Sequence, residues 1–458
     1  MLRKFRKRPL LPGAFADRPL NFMSLAELED LANITAVDLI ENGDRAAREH
    51  WQNKQLTNLL RHAQARSAFW RQRMPPRAIG HGIMHDLPIQ SREDVVAQVG
   101  LEGCLAATDG VASMVYASSG STGTPVNVFY SPQNAYYNTV RYLAQYFIYG
   151  LSLDENHVRI RNATDLGMLE RRATRVKSDD AWAGPLARIF RNGASKQITH
   201  AYDDDTLIDE LSKDPVGYLN CQSRFMEIIL KRGGVDLVKR LGIKLWVHFS
   251  DYRDPDVVKT LAGIGVPSLS NYSASEIGPI GFECPKFPGN YHVTHSNVIV
   301  ELDHKTTTTF NGATLGRLLV THLHSYATPL IRYDIGDFGQ LEKRCPCGHD
   351  GATISRIFGR GKHFLRHPNG KLLPFYIKTE ALLDVFPTLT ECRFTQKEID
   401  TITVEIGGPR SITAKEEGQL KKLIVIATDP VFKIRIEQVD KIDWSGNPKR
   451  LIFASSVA

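Results

Sequence analysis

Residues 115–130 read VYASSGSTGTPVNVFY. Ser118, Ser119, Gly120, Ser121, Thr122 and Gly123 stand together in it, all small and most carrying a hydroxyl. Glycine removes the Cβ that keeps a ligand off the backbone, and successive N–H and O–H groups make an anion nest. Phosphate binding is the chemistry such a loop suits. A Walker loop is excluded, because that motif needs Gly-Lys-Ser/Thr opening a helix. Here Gly123 leads into Thr124, Pro125 and the alternating VNVFY, which reads as strand–loop–strand. Taken alone, the stretch also fits a hairpin turn with no ligand. Other residues suited to such chemistry are Glu276 in NYSASEIGPIGFEC (271–284) and Asp337 in LIRYDIGDFG (330–339). RIFGRGK (356–362) and Lys449 in SGNPKRLIF (445–453) complete the set.

These residues need elements to hold them. Residues 51–72 read as one amphipathic helix with Leu56, Leu59, Leu60 and Ala63 on a face. Residues 131–150 form the clearest helical pattern. Ser131 is the N-cap, Pro132 the first helical position and Gly150 the stop. Its stripe is Tyr136, Val140, Leu143, Ala144, Phe147 and Ile148. Runs such as KLWVHF and RLLVTHL alternate with helical patterns such as DPDVVKTLAGI, which predicts a large α/β body. After Gly359 the texture changes. ECRFTQKEIDTITVEI reads as two strands around a turn, AKEEGQLKKLIVIA as a helix and FKIRIEQV as another strand. A boundary near 359–362 therefore divides an N-terminal domain, 1–359, from a compact α+β domain, 360–458.

Composition narrows the partners. The chain has 458 residues, 42% of them hydrophobic and 23% charged, which predicts a soluble chain of more than one domain. The formal net charge of +7 falls to +2 once Arg3, Lys4, Arg6, Lys7 and Arg8 are set aside. The basic pI therefore reports a tail and not a nucleic-acid-binding domain. No apolar run is long enough for an integral membrane span. The tail reads as a solvated terminus, with an acid-free transit peptide as its alternative, while LLPGAFA makes a poor signal-peptide core. Six cysteines in a chain this long do not form a disulfide framework, and they point to a reducing, cytoplasmic compartment.

The motifs at 118–123, 271–276, 332–337, 356–362 and 445–449 occur in an order that resembles the adenylate-forming superfamily of acyl- and aryl-CoA synthetases. LLRHAQARSAFWRQRM (59–74) and LPIQSREDV (87–95) are similar to the opening segment of its phenylacetate–CoA ligase-like branch, which also holds capsule-biosynthesis and cofactor F390 synthetase-type members. The resemblance implies a large multi-subdomain adenylation domain followed by a small swivelling domain. It also implies ATP-dependent activation of a carboxylic acid to an acyl-adenylate and transfer to a thiol, with CoA as the expected acceptor.

By the same resemblance, Ser118 to Gly123 would take the β- and γ-phosphates, although Thr124 stands where many members carry a cation. Glu276 would hold Mg²⁺, a hard cation suited to oxygen ligands. Tyr272 and Ser273 would flank the adenine or α-phosphate, and Ser250 and Asp251 would form the adenine-side loop. Asp337 would accept the ribose hydroxyls, with Arg360 as a second contact. Arg332 and Arg356 are either supports of that contact or structural ion-pair residues. Lys362 falls at the hinge of the small domain. Lys449, in an Asn-Pro-Lys context instead of the usual Gly-Lys, matches the lysine that neutralises charge between carboxylate and α-phosphate.

Members of this branch carry cysteines and a histidine that bind zinc. Cys284, His292, Cys345 and Cys347 are the matching set here, with His295 and His349 as rival fourth ligands. A closed Cys₃His site is structural. Residues 140–250 are expected to supply the acyl pocket. The charged stretch 161–196 reads as a solvated face, with a lid or a carrier-protein docking surface as alternatives. Two competing functions stand beside the CoA ligase. One is an adenylating enzyme that passes its acyl group to a carrier protein, an amine or a cofactor, and the other is a nucleotide-binding scaffold without catalysis.

Overall fold

The structure is a computed structural model. It describes residues 23–75, 84–105, 114–117, 126–162, 175–189, 192–200, 204–249, 253, 255–310, 313–360, 364–370, 372–375, 377, 379–443 and 453–457. The chain divides into two compact units. The first comprises Met1–Val300, Val320–Tyr333 and Glu342–Ile354. The second comprises Glu301–Leu319, Asp334–Leu341 and Ser355–Ala458.

A mixed sheet organises the first unit. From its middle outward the strands run Ser268–Ala274, Ile243–Phe249, Gly217–Cys221, His157–Asn162 and Ser195–His200, all parallel. Arg175–Asp179 closes one side antiparallel to Ser195–His200. On the other side Gly278–Cys284 and Phe287–Val293 continue as antiparallel neighbours, and Thr353 and Ile354 pair with His292 and Tyr291. Alternation along the strands sends side chains to both faces. Leu219 and Trp246 pack with Phe225, Met226 and Ile229 of the helix Ser223–Arg240 and with Leu261 of the helix Pro255–Gly263. Tyr218, Leu245 and Val247 pack with Val140, Leu143 and Ala144 of the helix Pro132–Tyr149 and with Ile34 and Val37 of the helix Leu25–Asn42. A sheet buried on both faces explains why Gly217–Cys221 is buried at every position. Each large apolar side chain so covered contributes about 2–3 kcal/mol.

The strongest helical pattern forms where its punctuation predicts. Ser131 caps Pro132–Tyr149 by accepting from Asn134 N–H, and Gly150 ends it in the left-handed region at φ 67°. The 51–72 pattern is corrected. It resolves into Arg45–Arg66 and Ala68–Arg73, because Ser67 takes an extended conformation and its hydroxyl accepts from Trp70 N–H. The break lets Trp70 turn inward with Leu59, Leu60 and Ala63. Of the charged 161–196 stretch, the strand Arg175–Asp179 is exposed at all five positions, whereas Ala183, Leu186 and Ile189 are buried in the core of the first unit, so the solvated-face reading is corrected for that part.

The second unit holds a four-stranded sheet in the order Lys433–Gln438, Thr401–Gly407, Glu391–Glu398, Phe453–Ser455. The two central strands form an antiparallel hairpin, and each outer strand lies parallel to its neighbour. The crossover helix Ala414–Ala427 starts in a capping box between Thr413 and Glu416. It packs Leu420 and Ile424 against Phe394, Ile402, Val404 and Ile406. Among the described residues, no helix is long and apolar enough to cross a membrane.

Candidate active site and metal centre

The strands Met114–Ala117 and Asn127–Tyr130 pair antiparallel, with Ala117 opposite Asn127. They frame the stretch that contains Ser118, Ser119, Gly120, Ser121, Thr122 and Gly123. Those six residues, with Thr124, lie outside the described residues, as do Ser250, Asp251, Lys362 and Lys449; for Arg360 only the backbone is described.

Glu276 sits in the tight connection between Ser268–Ala274 and Gly278–Cys284. It is 4% exposed, and Tyr333 Oη donates to its Oε1 at 3.2 Å. It is therefore not an exposed acid at a helix start. Two further neighbours pin the backbone of the turn. Tyr130 Oη donates to Ser275 O at 3.4 Å, and Asn297 Nδ2 donates to Ile277 O at 3.1 Å and Pro279 O at 2.8 Å. Gly278 sits at φ +83°, where a Cβ would lie 2.7 Å from Asn138 Nδ2. Only glycine fits both that conformation and that approach. Tyr272 is half-buried, its ring 6.2 Å from that of Tyr291, and Ser273 is exposed and bonded to Tyr142. Burial raises the Tyr142 phenol above its ordinary range.

Arg332 is buried and strained, at φ +49°. Its N–H donates to Thr321 Oγ1 at 2.9 Å and its guanidinium to Leu87 O, so its side chain ties backbone segments together. In the second unit, Asp337 is half-buried on the strand Tyr333–Glu342, and Arg356 is exposed on Thr353–Arg360. Within the first unit, a recess of about 10 Å³, room for roughly one water, lies among Gln145, Tyr149, Val247, Leu269, Asn271 and Phe282.

Cys284, His292, Cys345 and Cys347 converge. One donor atom from each lies within 4.8 Å of all the others. A tetrahedral Cys₃His zinc site puts its ligand atoms roughly 3.5–3.8 Å apart, given Zn–S and Zn–N bonds of about 2.3 and 2.1 Å. Cys347 Sγ and His292 Nε2 are 3.4 Å apart. The donor set thus fits zinc in number and type, with all four donors close enough to converge on one ion. The segment 345–349 makes a tight knuckle. Gly348 N–H donates to Cys345 O, Cys345 N–H to His349 O and His349 N–H to Cys347 Sγ. Burial pushes the Cys284 thiol up to about 12 and raises Cys347. It lowers His292 to about 4, which leaves the imidazole neutral with a lone pair to give.

Neither rival ligand joins the four. His349 stacks on His292 with ring centroids 4.2 Å apart and 16° between planes, and His295 lies beyond, 6.0 Å from His349. Sequence reasoning missed the N-terminal contribution. Glu41 accepts from His295 N–H and Ser296 N–H, Gln52 Nε2 donates to His295 O and Val298 O, and Arg48 donates to Asp350 O. Glu41 and Arg48 are buried and Gln52 is half-buried, and no pattern in the sequence pointed to the groups they meet.

No protein-family model matches the chain. It is 34% identical to Protein CapK of Staphylococcus aureus over 89 residues, which span 19% of this chain and 20% of that protein. The structure is similar to 2-hydroxyisobutyryl-CoA ligase in its postadenylation state with 2-HIB-AMP, at TM-score 0.66 and 14% identity, covering 92% of this chain and 89% of that one. It is also similar to the open form of that ligase with 2-HIB-AMP and CoA, at TM-score 0.60 and 13% identity, covering 88% and 91%.

Proposed function

The chain has the fold of the adenylate-forming acyl-CoA ligases, and on that premise we propose that it activates a carboxylic acid with ATP and passes the acyl group to the thiol of CoA. The observation that carries the reading is the turn at Glu276. A buried carboxylate, held from three sides, shares this unit with the hairpin that frames the glycine- and hydroxyl-rich loop.

In this reading a carboxylate oxygen of the substrate attacks the α-phosphorus of ATP in line. One O–P bond forms, the bond to the bridging oxygen breaks, and pyrophosphate leaves. Ser118 to Gly123 receive the β- and γ-phosphates. Tyr272, Ser273, Ser250 and Asp251 border the base and α-phosphate, and Asp337 and Arg360 hold the ribose. Glu276 is the residue that would hold Mg²⁺, which when bound neutralises phosphate charge. Lys449 spans carboxylate and α-phosphate, and Lys362 is the hinge. The thiolate sulfur then attacks the acyl carbon and AMP leaves. Catalysis in such a reaction is positioning and charge neutralisation. Cys284, His292, Cys345 and Cys347 would hold a structural zinc.

The acyl group is assigned to the segment 140–250, with an aryl or small organic acid as the substrate class. That choice agrees with the phenylacetate–CoA ligase-like opening segment. ATP–pyrophosphate exchange across a panel of aromatic and short aliphatic acids tests the proposal. One acid should stimulate exchange, and Glu276→Gln and Lys449→Ala should each lower it by about 10²–10³-fold. Adding CoA should then yield a thioester. Exchange with every acid absent, at saturating ATP, would refute the adenylation reading.

A further inference from the structure

Behind the four sulfur and nitrogen donors, three imidazoles run in a row: His292, His349 stacked on it, and His295 stacked beyond. The row ends at one point. A Cβ built on Gly351 would meet His295 Nε2 at 2.4 Å, His349 Nε2 at 2.6 Å and Arg48 Nη1 at 3.1 Å. Both of those imidazole nitrogens are buried without a hydrogen-bond partner, and His295 is 5% exposed. Arg48 is itself 4% exposed, on the helix Arg45–Arg66. Its hydrogen bonds go to two carbonyl oxygens, of Glu41 and Asp350. The Glu41 carboxylate nearby is occupied by the N–H groups of His295 and Ser296. A buried guanidinium is costly unless negative charge lies close by, and the Glu41 and Asp350 carboxylates supply part of it here.

Three thiolates and a neutral imidazole around a divalent cation carry a net charge of about −1. That charge would add to what the Glu41 and Asp350 carboxylates already supply to Arg48. The surrounding contacts fix the same join. Arg45 Nη2 and Arg344 Nε meet Asp350 Oδ1 at 3.0 and 2.8 Å, Arg45 Nη2 also donates to Lys343 O at 2.6 Å, and Gln52 ties down His295 O and Val298 O. The knuckle that carries Cys345 and Cys347 is thus gripped from the helix as well as by its own ligands.

We propose that Arg48, with the His349–His295 stack, is a positioning element of the metal centre, so that metal occupancy and docking of the helix Arg45–Arg66 are one coupled event. The proposal rests on the zinc reading above. Outer contacts of this kind typically alter metal affinity by about 10–100-fold.

The test uses the full chain with zinc as the probe. Zinc content and competition against a chromophoric chelator are measured for the wild type, Arg48→Ala, Arg48→Lys and His349→Phe, with Cys347→Ser as the ligand control. Amide hydrogen exchange across residues 45–66 is followed with and without chelator. The expected result is zinc binding weakened about 10–100-fold in Arg48→Ala, with partial recovery in Arg48→Lys. Exchange across 45–66 should rise on chelation to the level seen in Cys347→Ser. If Arg48→Ala does not fold, His349→Phe carries the affinity measurement, because it keeps the stack's shape and loses its nitrogens. Tight zinc binding in wild type, unchanged in Arg48→Ala and His349→Phe and with no change in exchange on chelation, overturns the coupling and leaves the zinc site standing. A wild-type chain that takes up no zinc overturns the zinc reading and this inference together.

Discussion

At the scale of single residues, the acid-bearing turn depends on glycine. Gly278→Ala forces a side chain to φ +83° and against Asn138. We expect a loss of about 1–3 kcal/mol in urea unfolding and a larger proportional loss of pyrophosphate exchange, since Glu276 lies two residues away. An alanine variant with wild-type stability would show the turn to be slack. A second residue sets an acid limit. His157 Nε2 lies 3.0 Å from Tyr146 Oη, and burial lowers its pKa from the usual 6.5 to about 3. The unfolded chain takes up this proton near pH 6.5, whereas the folded chain waits until about pH 3, so unfolding binds the extra proton between those values. Stability is therefore complete above pH 6.5 and declines as the pH falls toward 3, by about 2 kcal/mol at pH 5 from this group. His157→Gln should flatten the slope of stability between pH 7 and 5, and an unchanged slope would contradict the assignment.

At the scale of elements, the helix Pro132–Tyr149 shows how far local chemistry reaches. Ser131, Pro132 and Gly150 punctuate it unambiguously, and each does in the structure what its type dictates. Ser131→Ala removes the hydroxyl that accepts from Asn134 N–H and should cost about 1 kcal/mol in thermal or chemical unfolding. The break at Ser67 escaped the same reasoning. Apolar spacing continues across it from Ala63 to Trp70, and the choice between a longer helix and a cap is made by the pocket that Trp70 fills. The strand–loop–strand reading around 118–123 was legible from Pro125 and the alternation after it, and the flanking strands do pair. The candidate metal ligands were named through resemblance, because Cys284 and Cys345 come together only through segments distant in the chain. The grip of Glu41, Arg48 and Gln52 on residues 295–298 and 350 was not legible at all. Helical spacing tells which face is inward but not which carbonyl it meets.

At the scale of the whole molecule, two compact units with separate cores need not unfold together. Phe394→Ala, in the four-stranded sheet of the second unit, should cost about 3–5 kcal/mol and shift the calorimetric component belonging to that unit. Leu219→Ala, at the centre of the first, should move the other component. A single transition displaced equally by both would indicate one cooperative body. The small sheet has a further property. Among the described residues its borders are Phe453–Ser455, only three residues long, and Lys433–Gln438, whose outward side chains are Lys433, Arg435 and Glu437. A row of unsatisfied main-chain donors and acceptors invites another chain to add itself as a strand, and short or charged borders discourage that. A few ionic side chains on one ribbon are thus what this border offers against such pairing. Neutralising them should turn that border into a growth point for edge-to-edge polymers without altering a single residue of the core.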